Sequence, residues 1–235
     1  MEFFDILQDA WPDLWPGILL TLQLSIFGGI LALLVAILLG LMSITRSKVL
    51  VVISRVVMEF FRGTSLVVQL FYLYFVFPLF GMALEPIAAG VIALGLNYGA
   101  YGAEVVRGSL NAVPKGQWEV TTALSMSWPT KVRRIIWPQA WALMLPGLNN
   151  LQVMLVKGSS IVFMITLHDL TFEVDQLAKQ GENYFAVFGI ALLLYYLIAL
   201  AFSTFMRWLE RRAQRRLGLR LTPAQSAQAT AKAVA

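Results

Sequence analysis

Apolar residues in this chain come in long runs divided by short polar stretches, rather than in the alternation that wraps elements around a single water-excluded core. Five runs stand out: Gly17 to Met42, Thr64 to Phe80, Ile87 to Val106, Ala140 to Met164 and Phe185 to Met206. A helix needs roughly 20 mostly apolar residues to cross a hydrocarbon core, and in lipid a helix satisfies its own backbone. The pattern predicts an all-α integral membrane protein of about five transmembrane helices over residues 1–221. From Thr222 the chain turns to Ala, Gln, Ser and Thr, with too few bulky side chains to bury a core. A disordered tail over 222–235 is expected.

Composition agrees: 59% of residues are apolar and 13% charged, far from the balance of a water-soluble domain. There is no cysteine, which removes disulfides and thiolate metal sites, and the one histidine, His168, cannot build a metal centre alone. It is expected as a polar residue of an extramembrane loop. Acidic Glu2, Asp5, Asp9 and Asp13 precede the first run where a cleavable signal would be basic, so that run is expected to be retained as a span.

Charge decides the threading. With five spans, one side collects Arg46, Lys48, Arg55 and Arg62, then Arg107, Lys115, Lys131, Arg133 and Arg134, then the arginines from Arg207 to Arg220 with Lys232. These are 16 of the 18 basic residues, and the positive-inside rule makes that side cytoplasmic. The N-terminus is then outside and the C-terminus inside. The net charge of +5 is a topology signal and gives no reason to expect a nucleic-acid partner.

Within the third run, Gly90, Gly95, Gly99 and Gly102 stand among alanines, and Gly95 to Gly99 has the small-xxx-small spacing that lets membrane helices approach closely. That helix is expected at the centre of the bundle. Several polar residues lie in or beside the runs. Glu59 and Arg62, three apart, suit mutual pairing, and Glu104 suits pairing or snorkelling near the boundary. Asn97, Asn149, Asn150, Gln152, Lys157, Ser159 and Ser160 lie deeper, where two uses compete: lining a solute pathway, or bonding one helix to another.

Outside the runs, Asn111 to Pro138 reads as two short amphipathic helices joined by a tight turn. The first follows Pro114. The second is capped by Ser127, sets Val132, Ile135 and Ile136 on one face, spreads Lys131, Arg133 and Arg134 around the rest, and is interrupted by Pro138. Such a projection either docks a partner or lies on lipid. On the opposite side, Thr166 to Tyr184 carries Asp169, Glu173, Asp175 and Glu182 against Lys179, an acidic surface suited to a docking protein or simply a solvated loop. No phosphate-binding glycine loop and no nucleophile or metal-protease motif is present, so this chain is not expected to hydrolyse ATP or act as an enzyme.

The segment from Gln117-Trp118-Glu119 through Ser125, followed by Ile135-Ile136-Trp137-Pro138, resembles the EAA loop of ABC importer permeases, E-A-A-x-x-x-G with a downstream I-x-x-P. Glu119 and Pro138 match; Val120 and Thr121 replace the alanines, and Ser125 replaces the glycine. Serine either takes a left-handed turn at a cost of roughly 1–2 kcal/mol that glycine avoids, or bends the turn differently. Glu59-Phe-Phe-Arg-Gly-Thr-Ser-Leu, Asn97-Tyr-Gly-Ala-Tyr-Gly-Ala-Glu and Val156-Lys-Gly-Ser-Ser-Ile are similar to blocks of the polar amino acid uptake branch of that family.

The resemblance implies a type I ABC importer permease in a bacterial cytoplasmic membrane. It implies a second permease subunit, identical or paralogous, two ATP-binding cassette subunits below and an extracytoplasmic solute-binding protein above. ATP and Mg would bind the ATPase, with no cofactor on this chain. Glu119, Thr122, Ala123, Leu124, Ser125 and Met126 would couple to the ATPase, with the Glu119 carboxylate accepting N–H groups left unpaired by the turn. A secondary transporter or channel subunit is the competing class; it would require an ion site or a charged ring within the membrane.

Overall fold

The computed structural model describes residues 2–180 and 183–216, and all regular structure among them is helical. The expected tail over 222–235 lies outside the described residues. α1 (Glu2–Met42) is followed by α2 (Lys48–Gly63) and α3 (Leu66–Phe71); α3 widens into a π-helical turn at Tyr72–Val76 and tightens to 3-10 geometry at Phe77–Phe80. Then come α4 (Pro86–Ala112), α5 (Lys115–Ala123) and α6 (Trp128–Lys131). A π-helical turn at Val132–Ile136 leads into α7 (Trp137–Gly158), with a 3-10 extension at Ser159–Ile165. α8 (Leu170–Lys179) and α9 (Tyr184–Arg216) complete the order.

The five apolar runs fall on α1, the α3 segment, α4, α7 and α9. Ala10–Met42, Trp128–Ile165 and Tyr184–Arg215 are each long and apolar enough to cross a membrane alone. The second run qualifies only together with α2: α2 and the α3 segment meet at 101°, the geometry of a broken span or a re-entrant loop. α4 has the length, 27 residues or roughly 40 Å, but glycine, asparagine and charge dilute its apolarity. It tolerates them because protein surrounds it, with Ala93, Gly95, Gly99, Ala100, Gly102 and Ala103 all buried.

α1 packs along most of α4, and the small residues explain how. A Cβ added at Gly95 would lie 2.5 Å from Leu31 Cδ2, and one at Gly99 2.7 Å from Val35 Cβ and 3.1 Å from the Ala32 carbonyl oxygen. One at Gly102 would meet Ala36 Cβ at 2.7 Å. Backbone approach replaces side-chain bulk along this seam, as the glycine spacing predicts.

Pro138 does not interrupt its helix, contrary to the reading from sequence. Its ring would collide with the carbonyl of residue 134 in a regular α-helix, and the widened turn at Val132–Ile136 absorbs that conflict. The rod runs unbroken from Trp128 into the span. What reads as a second short helix is the foot of α7. Lys131 is buried instead of spread on the outer face, and its Nζ donates to Thr122 Oγ1 at 3.0 Å.

Candidate functional site

The break between α2 and α3 gathers most of the buried amide chemistry. A helix ends with carbonyls that have no N–H partner, and in hydrocarbon water cannot supply one. Phe60 O accepts from Thr64 Oγ1 at 2.7 Å, and Arg62 O from the Tyr101 hydroxyl at 3.2 Å. Phe61 O accepts from two amides, Gln69 Nε2 at 2.9 Å and Asn97 Nδ2 at 3.0 Å. The amides are bonded to each other, Asn97 Nδ2 donating to Gln69 Oε1 at 3.3 Å, and Gln69 Nε2 also donates to Thr64 Oγ1. Asn97 lies between Gly95 and Gly99, which meet α1 at Leu31 and Val35, so the clasp sits roughly 13 Å inside the Met42 end of α1.

Asn97 is therefore a tie between helices. Gln69 and Tyr101, unremarked in the sequence, complete the clasp; a lone amide inside the second apolar run was the signal for Gln69. Glu59 and Arg62 pair as their spacing predicts, at 3.6 Å, and Arg62 also lies over the Tyr101 ring. Glu104 pairs with Arg107 one turn along α4, its Oε2 accepting from Arg107 Nε at 3.1 Å.

The α7 candidates separate into two groups. Gln152 is a second tie, Nε2 donating to Ser25 O of α1 at 3.1 Å. Ser159 and Ser160 turn their hydroxyls back to the carbonyls of Val156 and Lys157, both at 2.8 Å, which leaves neither free to meet a solute with its proton. Asn149 keeps a buried Oδ1 with no hydrogen-bond partner among the described residues. Asn150, Met154 and Lys157 are exposed at i, i+4 and i+7, one open face carrying an amide, a thioether and an ammonium.

The turn between α5 and α6 resolves the question raised by Ser125. Its φ is +52°, so serine adopts the left-handed conformation that glycine would take at no steric cost. Met126 N–H donates to Thr121 O at 3.1 Å and Ser125 N–H to Thr122 O at 2.9 Å, the paired bonds of a Schellman ending. The turn's N–H groups are thus met by backbone carbonyls. Contrary to the expectation from sequence, Glu119 is not their acceptor; it is exposed and makes no hydrogen bond among the described residues. Trp118 O takes both Thr121 and Thr122 hydroxyls, and Val120 and Leu124 are bare apolar side chains 57% and 67% exposed. Ala123 and Met126 flank them on the same turn, Ala123 exposed and Met126 half-buried.

At the opposite end, the acidic segment is mostly helix and is spoken for. Asp169 is wholly buried at the start of α8. It caps Phe172 N–H at 3.1 Å and accepts from the Tyr195 hydroxyl of α9 at 3.1 Å. Thr21 of α1 receives Leu170 N–H at 3.2 Å. Burial pushes the Asp169 carboxyl up to about 6. His168, in the loop as expected, stacks on Phe172 and pairs with Glu173 at 3.3 Å. Burial raises Glu173 too, against the pull of that histidine. Asp175 pairs with Lys179, and Glu182 lies outside the described residues. Asp169 cannot contribute to a landing surface.

Residues 28–215 match the model of the family described as binding-protein-dependent transport system inner membrane component. A probable amino-acid ABC transporter permease protein of Sinorhizobium fredii is 39% identical over 226 residues, covering 94% of this chain and 93% of that one. The L-cystine transport system permease protein of Bacillus subtilis is 32% identical over 214 residues, 90% and 92% of the two chains. Among solved structures, an amino acid ABC transporter crystallised with histidines matches with a TM-score of 0.80 and 32% identity over 90% of this chain and 99% of that one. The inward-facing methionine ABC transporter MetNI matches with a TM-score of 0.69 at 20% identity over 83% and 95%, a likeness of fold.

Proposed function

The chain belongs to the family of binding-protein-dependent transport system inner membrane components and is the permease subunit of an ABC importer, and on that premise we propose that it moves a polar amino acid, or a solute like one, into the cytoplasm. The observation that carries the mechanism is the α5 projection. A nine-residue helix outside the spans and its C-cap expose Val120 and Leu124 beside a Glu119 with no ion pair among the described residues, and the helix is locked to the foot of α7 by Lys131 and the Schellman turn. It is a rigid lever with an unfilled docking face.

In this reading Glu119 and the turn from Thr122 to Met126 seat in an ATP-binding subunit, and closure of two such subunits draws two permeases together. Because α6 continues without a break into α7, displacement at the lever is delivered to the face bearing Asn150, Met154 and Lys157. That face lines the pathway. Its ammonium, which no carboxylate among the described residues neutralises, suits the carboxylate of an amino acid, and its amide suits either end of a zwitterion. In this reading the C-terminus lies on the cytoplasmic side of a bacterial inner membrane, which the basic ends of the spans support. A second permease, identical or paralogous, closes the pathway, and an extracytoplasmic binding protein delivers solute near α8. ATP and Mg belong to the ATPase.

The test is uptake of labelled polar amino acids into proteoliposomes holding the assembled importer. Transport that needs ATP on the cytoplasmic face and survives collapse of the proton gradient is expected. Uptake driven by the gradient alone would assign the chain to secondary transport instead.

A further inference from the structure

α1 and α9 pack together only over part of their length. Ala10, Leu14 and Ile18 share a buried cluster with Val187, Ile190 and Ile198, whereas from Leu24 onward the buried side chains of α1 cluster with other helices and with none of α9. The two helices diverge toward the Met42 end of α1 and the Arg216 end of α9. Between them lies a wedge-shaped cavity of about 470 Å³, floored by α4 and α7.

Its walls are Ile30 and Leu33 of α1, Leu148 and Leu151 of α7, and Phe205 and Leu209 of α9. Polar side chains in the lining are few, Ser25, Gln152, Tyr98 and the indole of Trp141, and the Gln152 amide is already bonded to Ser25 O. Water has too few partners there, and an empty wedge would forfeit dispersion contacts along every wall. The helices around it cross the membrane, so the medium at its mouth is hydrocarbon. From Ser25 to Ala36 the α1 wall runs roughly 16 Å, against roughly 15 Å for the hydrocarbon of one leaflet.

Charge at the foot of the wedge narrows the occupant further. α9 continues past Leu209 with Arg211, Arg212 and Arg215, and Arg207 lies half a turn before it. Among the described residues, no carboxylate is ion-paired with these arginines; Arg207 bonds Ser203 and Thr204, and Arg212 stacks on Trp208. We propose that the wedge is a lipid site: one acyl chain of an anionic glycerophospholipid fills it, and the arginines at the foot of α9 hold the phosphate. The bound lipid acts as a removable part of the α1–α9 seam.

Native mass spectrometry of the delipidated full chain, titrated with phosphatidylglycerol or with phosphatidylcholine of the same acyl chains, tests this. One phosphatidylglycerol per chain is expected, preferred about fivefold for each arginine engaged. Leu33→Trp with Leu148→Trp, which fills the wedge, should abolish retention of both lipids while leaving helicity intact by circular dichroism. Arg211→Gln with Arg212→Gln should erase the preference yet keep weak binding of both, and this surface pair decides the matter if the filled variant does not fold. Equal retention of the two lipids by the wild-type chain would overturn the proposal. So would a Leu33→Cys variant of this cysteine-free chain that forms a disulfide with a second copy, since the wedge would then hold protein.

Discussion

The end of α2 and the end of α5 face one physical problem, terminal carbonyls without helical donors, and meet it in opposite ways. At α2 the break joins two helices bent by 101°, with the Asn97 and Gln69 amides buried, and Thr64, Gln69, Asn97 and Tyr101 are all drawn in to cover three carbonyls. At α5 the end lies outside the spans, and backbone N–H groups from a left-handed Ser125 and from Met126 close it unaided. The buried break consumes polar side chains from two other segments and becomes a fixed joint. The exposed one consumes none, which leaves Glu119 and its apolar neighbours free to meet another protein. Polar residues near a helix end in this chain are thus structural where water is absent and available where it is present.

The start of α8 sharpens that contrast, because it lies outside the spans but is dry, and there the expected effect is largest. Asp169 is held near 6 against an ordinary 3.8, so the folded chain binds this proton more tightly than the unfolded chain does. Stability is then greatest below about pH 4 and falls by about 3 kcal/mol as pH rises through about 6. Thermal unfolding in lipid at intervals from pH 4 to 7 reads this directly. Asp169→Asn, whose amide oxygen still accepts from the cap while its NH2 group can donate to the Tyr195 hydroxyl, should flatten the slope; an unchanged slope would mean that another group carries it.

Next in size is the clasp itself. Asn97→Leu removes a donor from Phe61 O and from Gln69 Oε1 in a place water does not reach, at a cost of about 1–3 kcal/mol. The thermal midpoint should drop while far-ultraviolet circular dichroism stays helical. A variant as stable as the wild type would show that the break is not held by side chains, and the comparison with α5 would collapse.

Much of this was legible in the sequence because its physics is local. Apolar run length marked the three helices that qualify as spans alone, and the Gly95-to-Gly99 spacing marked the central helix, since both depend on residues close in the chain. The clasp was not legible: Gln69 and Asn97 lie 28 residues apart and gain meaning only once the broken span folds back against α4. The same holds for Asp169, whose burial depends on Tyr195 and on α1. Pro138 misled because its usual effect in a helix interior is to break it, and a single widened turn upstream cancels that conflict. At Ser125 the sequence left two outcomes open, a left-handed serine or a turn of another shape, and the backbone takes the first.

A smaller effect is expected at that serine. Ser125→Gly keeps both turn hydrogen bonds and relieves the side-chain conflict of a positive φ, so the chain should gain about 1 kcal/mol and unfold at a higher temperature. A loss of stability would mean the backbone is not left-handed in solution.

The smallest change in stability belongs to Glu119, and the contrast between the two helix ends turns on it. Its carboxylate is exposed and bonds nothing among the described residues, so Glu119→Ala should alter stability by no more than about 0.5 kcal/mol. α5, its Schellman turn and the Lys131–Thr122 bond do not depend on it. If the residue is reserved for the ATP-binding subunit, the same substitution should weaken docking of that subunit, or leave ATP hydrolysis running without solute uptake. Glu119→Gln, which keeps an acceptor oxygen but no charge, should be milder. Both activities can be measured on one preparation of the assembled importer in lipid, beside an unfolding curve of the permease alone. Loss of coupling at unchanged stability is the expected result, the reverse of Asn97→Leu, where stability falls first. Normal coupled uptake in Glu119→Ala would remove Glu119 from the interface and leave Val120 and Leu124 as the docking surface.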